Sequence, residues 1–375
     1  MDVIDKNVKE AFNKNVVCII DPVGRKAGLD FYNDSLAEFI TQSGRQTKVF
    51  SNYVSDFSEK TFRFQFGSSI LYIPHLIFSY LAILKQLTKN KPKTVILHLF
   101  AATKISNWFA RHLKKLNIQI IFIVHDIESL VEKKTSGVEM NKSLILADEI
   151  VVHNEFSKSE LAKKYSFADS KTTAIPHGNF VKLPSDLSRE ESRLKLNLGP
   201  NEKVILFFGM IKPSKGLDVL LKSMQNVNAK LIVAGRMRKH SIDNYHNLLT
   251  ILKDTGKLQL DIGYVTNVKR DLYFKACDLI VLPYHKVYQS GVLIMAMSYG
   301  LPVIASDLAS NIELVKNKEC IDFFPEGDHL RLTERISNLL ENFEHKKLIA
   351  ENAFKLMESS HRWEDVAQQF NNLMD

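Results

Sequence analysis

Short apolar runs rich in β-branched residues alternate along this chain with stretches in which apolar residues recur at helical spacing. In the first half the strand-like runs are VVCII from Val16, TVILHLF from Thr94, IQIIFIV ending at Val124, EIVVH around Ile150 and TTAIP around Thr173. Helices are expected between them over residues 30–43, 104–116 and 157–165. Strands that are apolar throughout, instead of alternating, are covered on both faces, which is the condition of a parallel sheet flanked by helices. A polar stretch from Lys182 to Lys203, with Pro184 and Pro200, then breaks the series as an interdomain connection. The pattern restarts beyond it: strands at KVILFFG from Lys203, AKLIVAG from Ala229, LQLDIG from Leu258, DLIVLPY and LPVIAS, with helices over 216–224, 267–276 and 291–299. Everything from Leu330 onward is helical by pattern. The fold class expected is α/β, with two Rossmann-like parallel-sheet domains facing a cleft and helices at the C-terminus. The boundaries expected are 1–184, 185–358 and a terminal helix within 359–375.

Composition narrows the class. The chain has 375 residues, 25% of them charged and 45% hydrophobic, which describes a soluble globular protein too long for one ordinary core. No run reaches the roughly 18 apolar residues that span a bilayer, and the start, MDVIDKNVKEAFNKN, lacks an apolar signal core. The three cysteines, Cys18, Cys277 and Cys320, sit inside apolar runs with no second cysteine or histidine at ligand spacing. A reducing, cytoplasmic protein with buried thiols and no metal site is expected.

The net charge of +8 matters for where it lies. Between Thr61 and Val124 there is no acidic residue, while Lys85, Lys89, Lys91 and Lys93 stand close together there. They follow an apolar run from Ile70 to Leu84, too short to span a membrane but able to lie at its surface; the same run reads equally as a buried helix. Anionic lipid or a phosphate-bearing acceptor is the partner expected at this face. Nucleic acid is not, because the aromatics and lysines do not interleave as a stacking platform requires.

Two strand-to-helix loops in the second half are suited to a phosphate. One is Gly209-Met210-Ile211-Lys212-Pro213-Ser214-Lys215-Gly216, where glycine admits close backbone approach and two lysines stand beside a helix start whose dipole favours anions. Its spacing is not that of a GxxxxGK[ST] loop. The other is Pro283 to Gly291, which puts Ser290 or Gly291 near an N-cap and leaves the amides of Gly291, Val292 and Leu293 free to face a ligand. Each alone is also what an ordinary surface turn or helix start would look like; together they point to a diphosphate.

The order FFGMIKPSKGLDVLL, LIVAG, DIGYV, ACDLIVLPY, SGVLIMAMSYGLPVIASD and EGDHLRL resembles the sugar-nucleotide half of GT-B glycosyltransferases, family 4 most closely. The resemblance extends into the first half through the glycine loop Gly24-Arg25 to Gly28, VHD at Val124 to Asp126, ADEIVVHNEFSKSEL and AIPHG. It implies that 1–184 binds the acceptor, that 185–358 binds the donor, and that the terminal helix crosses back to the first domain. Gly209, Lys212 and Lys215 would neutralise the donor diphosphate. Ser290, Gly291 and Val292 would hold its distal phosphate and sugar, and Gly263, Tyr264 and Val265 would lie against the base. Gly24, Arg25 and Gly28, with Lys89, Lys91 and Lys93, fall on the acceptor and membrane side.

Two departures stand out. Met210 occupies the place of the family's usual arginine, and Lys212 matches instead the basic residue of a G-x-I-R-P-x-K-G subgroup. Val287 and Met295 stand where typical retaining members carry glutamates eight residues apart, so ribose recognition differs and the stereochemical outcome is not transferable. SGVLIMAMSYGLPVIAS also resembles the inverting, xanthan-type mannosyltransferase branch. His125 and Asp126, at a strand end, are the catalytic candidates implied: an imidazole to contact a sugar hydroxyl and a carboxylate to act as base; a satisfied turn is the other reading of this pair. The function expected is metal-independent hexosyl transfer, with no cofactor, from a UDP- or GDP-sugar to a saccharide acceptor. That acceptor is expected to be linked to polyprenyl diphosphate, at the inner face of the plasma membrane, in bacterial surface polysaccharide assembly. The competing class is a catalytically silent GT-B protein that binds a nucleotide sugar or scaffolds a partner transferase, motivated by the missing glutamates.

Overall fold

The computed structural model describes residues 15–62, 72–99, 102–125, 127, 134–237, 245–316 and 318–375. The chain forms two compact units, one running to Pro176 and taking up Trp363–Asp375, the other spanning His177–Arg362.

The first unit is built on seven strands: β1 (Val16–Ile20), β2 (Gln46–Ser51), β3 (Ser58–Lys60), β4 (Thr94–Leu99), β5 (Gln119–Val124), β6 (Glu149–Val152) and β7 (Thr172–Ala174). Their order is β3-β2-β1-β4-β5-β6-β7, every pair parallel. The central strands β1 and β4 are buried along their whole length, as their unbroken apolar sequence requires. Two strands escape the sequence pattern. β2 reads QTKVFS, with polar residues over its first half, and β3 is the three-residue SEK at the sheet edge; an edge strand half open to solvent carries too little apolar signal to stand out.

The second unit has six parallel strands: β8 (Val204–Phe208), β9 (Lys230–Gly235), β10 (Leu258–Ile262), β11 (Leu279–Leu282), β12 (Val303–Ser306) and β13 (Asp322–Phe324), in the order β10-β9-β8-β11-β12-β13. In both sheets the chain reverses its direction of strand addition once, between β1 and β4 and between β8 and β11. Outside the carboxyl ends at such a switch point, parallel sheets bind their ligands.

The connection between units falls earlier than the polar composition of 182–203 suggests. Residues just beyond Pro176 are already fastened to the second unit: the Phe180 amide donates to Ser298 Oγ at 2.9 Å, and Asn179 Nδ2 to the Met357 carbonyl at 2.9 Å. Composition marks exposure, whereas these backbone bonds decide which body the segment moves with. The chain returns to the first unit at Trp363. Trp363, Val366, Phe370 and Met374 of the helix Trp363–Met374 join Tyr32, Leu36 and Ile40 in one core cluster. Arg45 Nε and Gln119 Nε2 bond to Asn371 Oδ1 and the Leu373 carbonyl.

The apolar run near Ile70 belongs to a helix, Tyr72–Asn90, which buries Leu76, Tyr80, Ile83, Leu84 and Leu87 on one face. Its other face leaves Ile73, Phe78 and Leu81 exposed, with Phe78 at 66%. Lys85, Lys89, Lys91 and Lys93 are exposed along and just beyond this helix. Both readings of the run therefore hold, one for each face. Among the described residues no helix is long and apolar enough to cross a membrane. The three thiols are buried, and burial pushes the Cys18 thiol up to about 12.

Candidate functional site

The loops after β8 and β11 meet at the switch point of the second sheet. Pro213, Ser214 and Lys215 form a single 3-10 turn that ends in Gly216 at φ 63°. There the backbone lies so close to the other loop that a Cβ on Gly216 would overlap the Pro283 carbonyl. The Ser214 carbonyl accepts the His285 amide at 3.1 Å and lies 3.5 Å from that of Lys286. A Cβ on Gly209 would sit 3.2 Å from Val292 Cγ2. The loop that carries Gly209, Lys212 and Lys215 is thus in direct contact with the loop and helix start that carry Ser290, Gly291 and Val292.

Lys215 Nζ stands 3.6 Å from the centroid of the Tyr284 ring. The ring is buried, so the ammonium rests on an immobile aromatic face. Burial pushes the Tyr284 phenol up to about 12, opposed by its hydrogen bond with Ser290 and by the charge of Lys212. The helix Gly291–Ser298 starts at Ser290, whose Oγ accepts the Leu293 amide at 3.2 Å. Ser290 and Leu293 are therefore occupied in capping, and the amides of Gly291 and Val292 are those left at the mouth of the helix. His177 lies beside them, its Nε2 4.0 Å from the position of a Gly291 Cβ, with Nδ1 on the Gly178 carbonyl.

Gly263, Tyr264 and Val265 follow β10, two strands away. They reach the same edge through glycines, since Gly263 N donates to the Gly235 carbonyl at 2.9 Å and Gly209 N to that of Ala234 at 3.0 Å. Tyr264 is 56% exposed there. Val287 and Met295 are both half-buried, and Val287 contributes only a carbonyl, to Ser310 Oγ. The carboxylates near this rim come from elsewhere. His285 is held between Glu326 at Nδ1 and Asp218 at Nε2, the latter at 3.6 Å. Burial works to lower the His285 pKa, but the two carboxylates outweigh it and hold it above the ordinary value. This knot ties the start of the Leu217–Met224 helix to the loops after β11 and β13. Only EGDHL hinted at Glu326, and nothing in spacing links it to His285.

In the first unit the β1 loop is organised by Asp21, a buried carboxylate missed at the sequence level. Asp21 Oδ1 accepts the amides of Val23 and Gly24 at 2.9 and 3.0 Å, and Oδ2 accepts Asn33 Nδ2 at 2.7 Å. Its only advance signal is an acid directly after an apolar strand. Gly24 packs against Ser51 and Asn52 with φ 51°. Arg25 is exposed but pairs with Asp30 at 3.3 Å, and Gly28 closes the turn in the left-handed region at φ 72°.

His125 has partners that the sequence did not announce. Its Nε2 lies 2.7 Å from His98 Nδ1 and its Nδ1 3.2 Å from His153 Nε2, while His153 Nδ1 lies 3.1 Å from the Ile175 carbonyl. A carbonyl only accepts, so His153 carries its proton on Nδ1. In the all-neutral row His125 and then His98 must do the same. Burial lowers the His98 pKa, with Asp21 opposing, and so favours this neutral row. Both ring nitrogens of His125 are engaged, and Tyr32 meets all three imidazoles edge-on. In this arrangement His125 has no nitrogen left for a sugar hydroxyl, which corrects the simplest form of the role implied for it. Asp126 lies outside the described residues. Lys89, at the end of its helix, and Lys91 and Lys93, just beyond it, are exposed ahead of the amino end of β4, whereas His98 stands near the carboxyl end of that strand. Among the described residues no cluster of histidine, cysteine and carboxylate side chains could hold a metal ion.

Two parallel sheets with a basic loop and a helix start at one switch point define a class, and the comparisons agree with it. Residues 188–356 match the family of glycosyl transferases group 1, and residues 73–166 the glucosyltransferase 3-like N-terminal domain. Residues 188–356 are thus similar to a group 1 glycosyltransferase domain, and the two parallel-sheet units have the fold of GT-B enzymes. An uncharacterized glycosyltransferase of Methanocaldococcus jannaschii is 25% identical over 238 residues, 60% of this chain and 59% of that protein. A GDP-mannose:glycolipid 4-beta-D-mannosyltransferase of Xanthomonas campestris is 29% identical over 113 residues, 30% of this chain and 32% of that one. The chain therefore spans less than two thirds of the length of either relative. The crystal structure of Anabaena HepE in complex with UDP-glucose has the same fold, with a TM-score of 0.74 at 16% identity over 95% of this chain and 98% of that one.

Proposed function

We propose that this protein transfers a hexose from a UDP- or GDP-sugar to a saccharide acceptor, without a metal ion. The observation that carries this reading is the meeting of the Lys212–Lys215 turn with the start of the Gly291–Ser298 helix at the β8/β11 switch point. Ammonium groups and helix-start amides brought together on two touching loops can stabilise a departing diphosphate, because their charge is in place before the bond breaks. Lys212 and Lys215 take the phosphates, Gly291 and Val292 the distal phosphate and sugar, and Gly263, Tyr264 and Val265 the base. The group 1 domain and the nucleotide sugars printed in the names of its relatives support this assignment.

The acceptor in this proposal is linked to polyprenyl diphosphate, and the protein works peripherally on the inner face of the plasma membrane in bacterial surface polysaccharide assembly. Support comes from the glycolipid acceptor named for the Xanthomonas relative and from the helix Tyr72–Asn90, where exposed Ile73, Phe78 and Leu81 adjoin exposed lysines. Each lysine near an anionic surface contributes about 1 kcal/mol. Lys89→Gln combined with Lys91→Gln is expected to weaken binding to phosphatidylglycerol vesicles by about 2 kcal/mol. Unchanged co-sedimentation would remove this face from the membrane.

The replacement of the two glutamates by Val287 and Met295 favours one other reading, a silent protein that binds the nucleotide sugar. Purified protein incubated with a panel of UDP- and GDP-sugars separates the two. Slow release of free UDP or GDP, unaffected by EDTA, is expected of a metal-independent transferase. Tight binding with no release across the panel would establish the silent protein, and release abolished by EDTA would refute metal independence.

A further inference from the structure

The second unit contains a cavity of about 580 Å³ that the donor site does not use. Its walls come from the connection around Arg189, from residues directly preceding β11 and β12, and from the first two turns of the helix Phe343–Ser360. Cys277, Asp278 and Pro302 stand at the amino ends of their strands, so the cavity opens at the opposite edge of the sheet from Gly209 and Gly291. Its size lies within the range typical of small-molecule sites, roughly 300–1,000 Å³.

The charge in this cavity is one-sided. Arg189, Lys275, Lys346 and Lys347 line it, against the single carboxylate of Asp278. Asp278 is already fully engaged: Oδ1 takes Arg189 Nη2 at 2.8 Å and Lys346 Nζ at 3.8 Å, while Oδ2 takes the Val204 amide at 2.8 Å and Arg193 Nη1 at 3.8 Å. Three cations thus share one carboxylate. Lys347 has only a loose surface contact, to Glu351 at 3.9 Å, and such exposed pairs are worth little. The rest of the wall is apolar, with Phe274 and Leu301 at the back and Phe343 at the mouth. Cations in excess over a carboxylate, with Arg189, Lys275 and Lys346 half-buried and Lys347 exposed at the edge, favour a bound anion, and the hydrocarbon around them favours a body that dislikes water.

We infer that this cavity is a second ligand site, for a phosphate monoester carrying an apolar or aromatic group, independent of the donor site. The phosphate lies among Lys275, Lys346 and Lys347, and the apolar group against Phe274, Leu301 and Phe343. Tyr299 and Gly300, which follow the helix Gly291–Ser298, also line the cavity. An occupant there and a nucleotide sugar at Gly291 would therefore stand at the two ends of one short helix without touching.

The test is a calorimetric titration with 1-naphthyl phosphate in saturating UDP and GDP, on the unaltered protein, on Lys215→Ala and on Lys275→Glu with Lys347→Glu. Binding that persists in nucleotide and in Lys215→Ala, but is weakened at least about tenfold in the double variant, is expected. If charge reversal lowers the melting temperature, Lys275→Gln with Lys347→Gln replaces it, with a loss of about threefold expected. No binding by the unaltered protein, displacement by UDP or GDP, or equal affinity in the folded double variant would overturn the site. Loss of 1-naphthyl phosphate binding in Lys215→Ala would likewise overturn it, whereas loss of UDP and GDP binding by that variant bears on the donor proposal alone.

Discussion

Replacing Lys215 by alanine is expected to weaken UDP and GDP binding about a hundredfold, a loss of roughly 3 kcal/mol. The size follows from where the ammonium sits. It is half-buried and held 3.6 Å from the centre of a buried aromatic ring, so its charge acts across protein more than across water, where the same charge is largely screened. The position is also preorganised: the turn that carries it is closed by the Gly216 amide on the Pro213 carbonyl at 3.0 Å and tied to the second loop through Ser214. A phosphate binding there does not have to order the side chain first. Lys215→Arg keeps the charge but changes its shape and reach, and recovery of only part of the lost affinity is expected. The cation–π contact that Lys215→Ala removes is worth about 0.5–1 kcal/mol, well below the loss expected in nucleotide affinity. Calorimetric titration of both variants with UDP and GDP checks this. Affinities within twofold of the unaltered protein for both nucleotides would take the loop out of the site.

Much of this architecture could be read from the sequence because of how parallel sheets are made. The buried strands β1, β4, β5, β8 and β11 are apolar over all or most of their length, so each declares itself, and their alternation with helices leaves few alternatives to two doubly wound sheets. β2 and β3, where one face or one edge meets solvent, lack that signal. The loops bearing Lys215 and Gly291 were also legible, since glycine, lysine and a capping serine between a strand and a helix are local chemistry. What spacing could not reveal was contact between distant segments. His98, His125 and His153 come from three strand ends and meet only because β4, β5 and β6 are neighbours in the sheet. Glu326 reaches His285 because β13 and β11 flank β12, and Asp278 gathers three cations from two helices distant in the chain, Arg189–Lys195 and Phe343–Ser360. Residue type and position single out His125 and Arg25, but their partners, His98 with His153 and Asp30, are visible only in the fold. Val287 and Met295 show the reverse case, where two missing carboxylates were visible in sequence and the structure supplies no acid at either place.

Gly216→Val is expected to lower the stability of the second unit by about 4 kcal/mol, from two additive causes. Holding a residue with a Cβ at φ 63° costs about 1–2 kcal/mol before any contact is counted. The new Cβ then overlaps the Pro283 carbonyl oxygen, a backbone atom that cannot rotate away as a side chain would. Relief requires moving the β11 loop, which breaks the bonds from the His285 and Lys286 amides to the Ser214 carbonyl and draws Lys215 off the Tyr284 ring. Displacements of that kind cost several kcal/mol when they disturb a packed core, and Leu217, next in the chain, is fully buried there. Gly300→Ala is the control: φ is again 63°, but no atom lies within 4 Å of the position its Cβ would take, so only the conformational cost of about 1–2 kcal/mol remains. Urea unfolding of the two variants separates the terms. Equal losses in both would show that the β8 and β11 loops part freely, and with them would fall the rigid concavity on which donor binding rests.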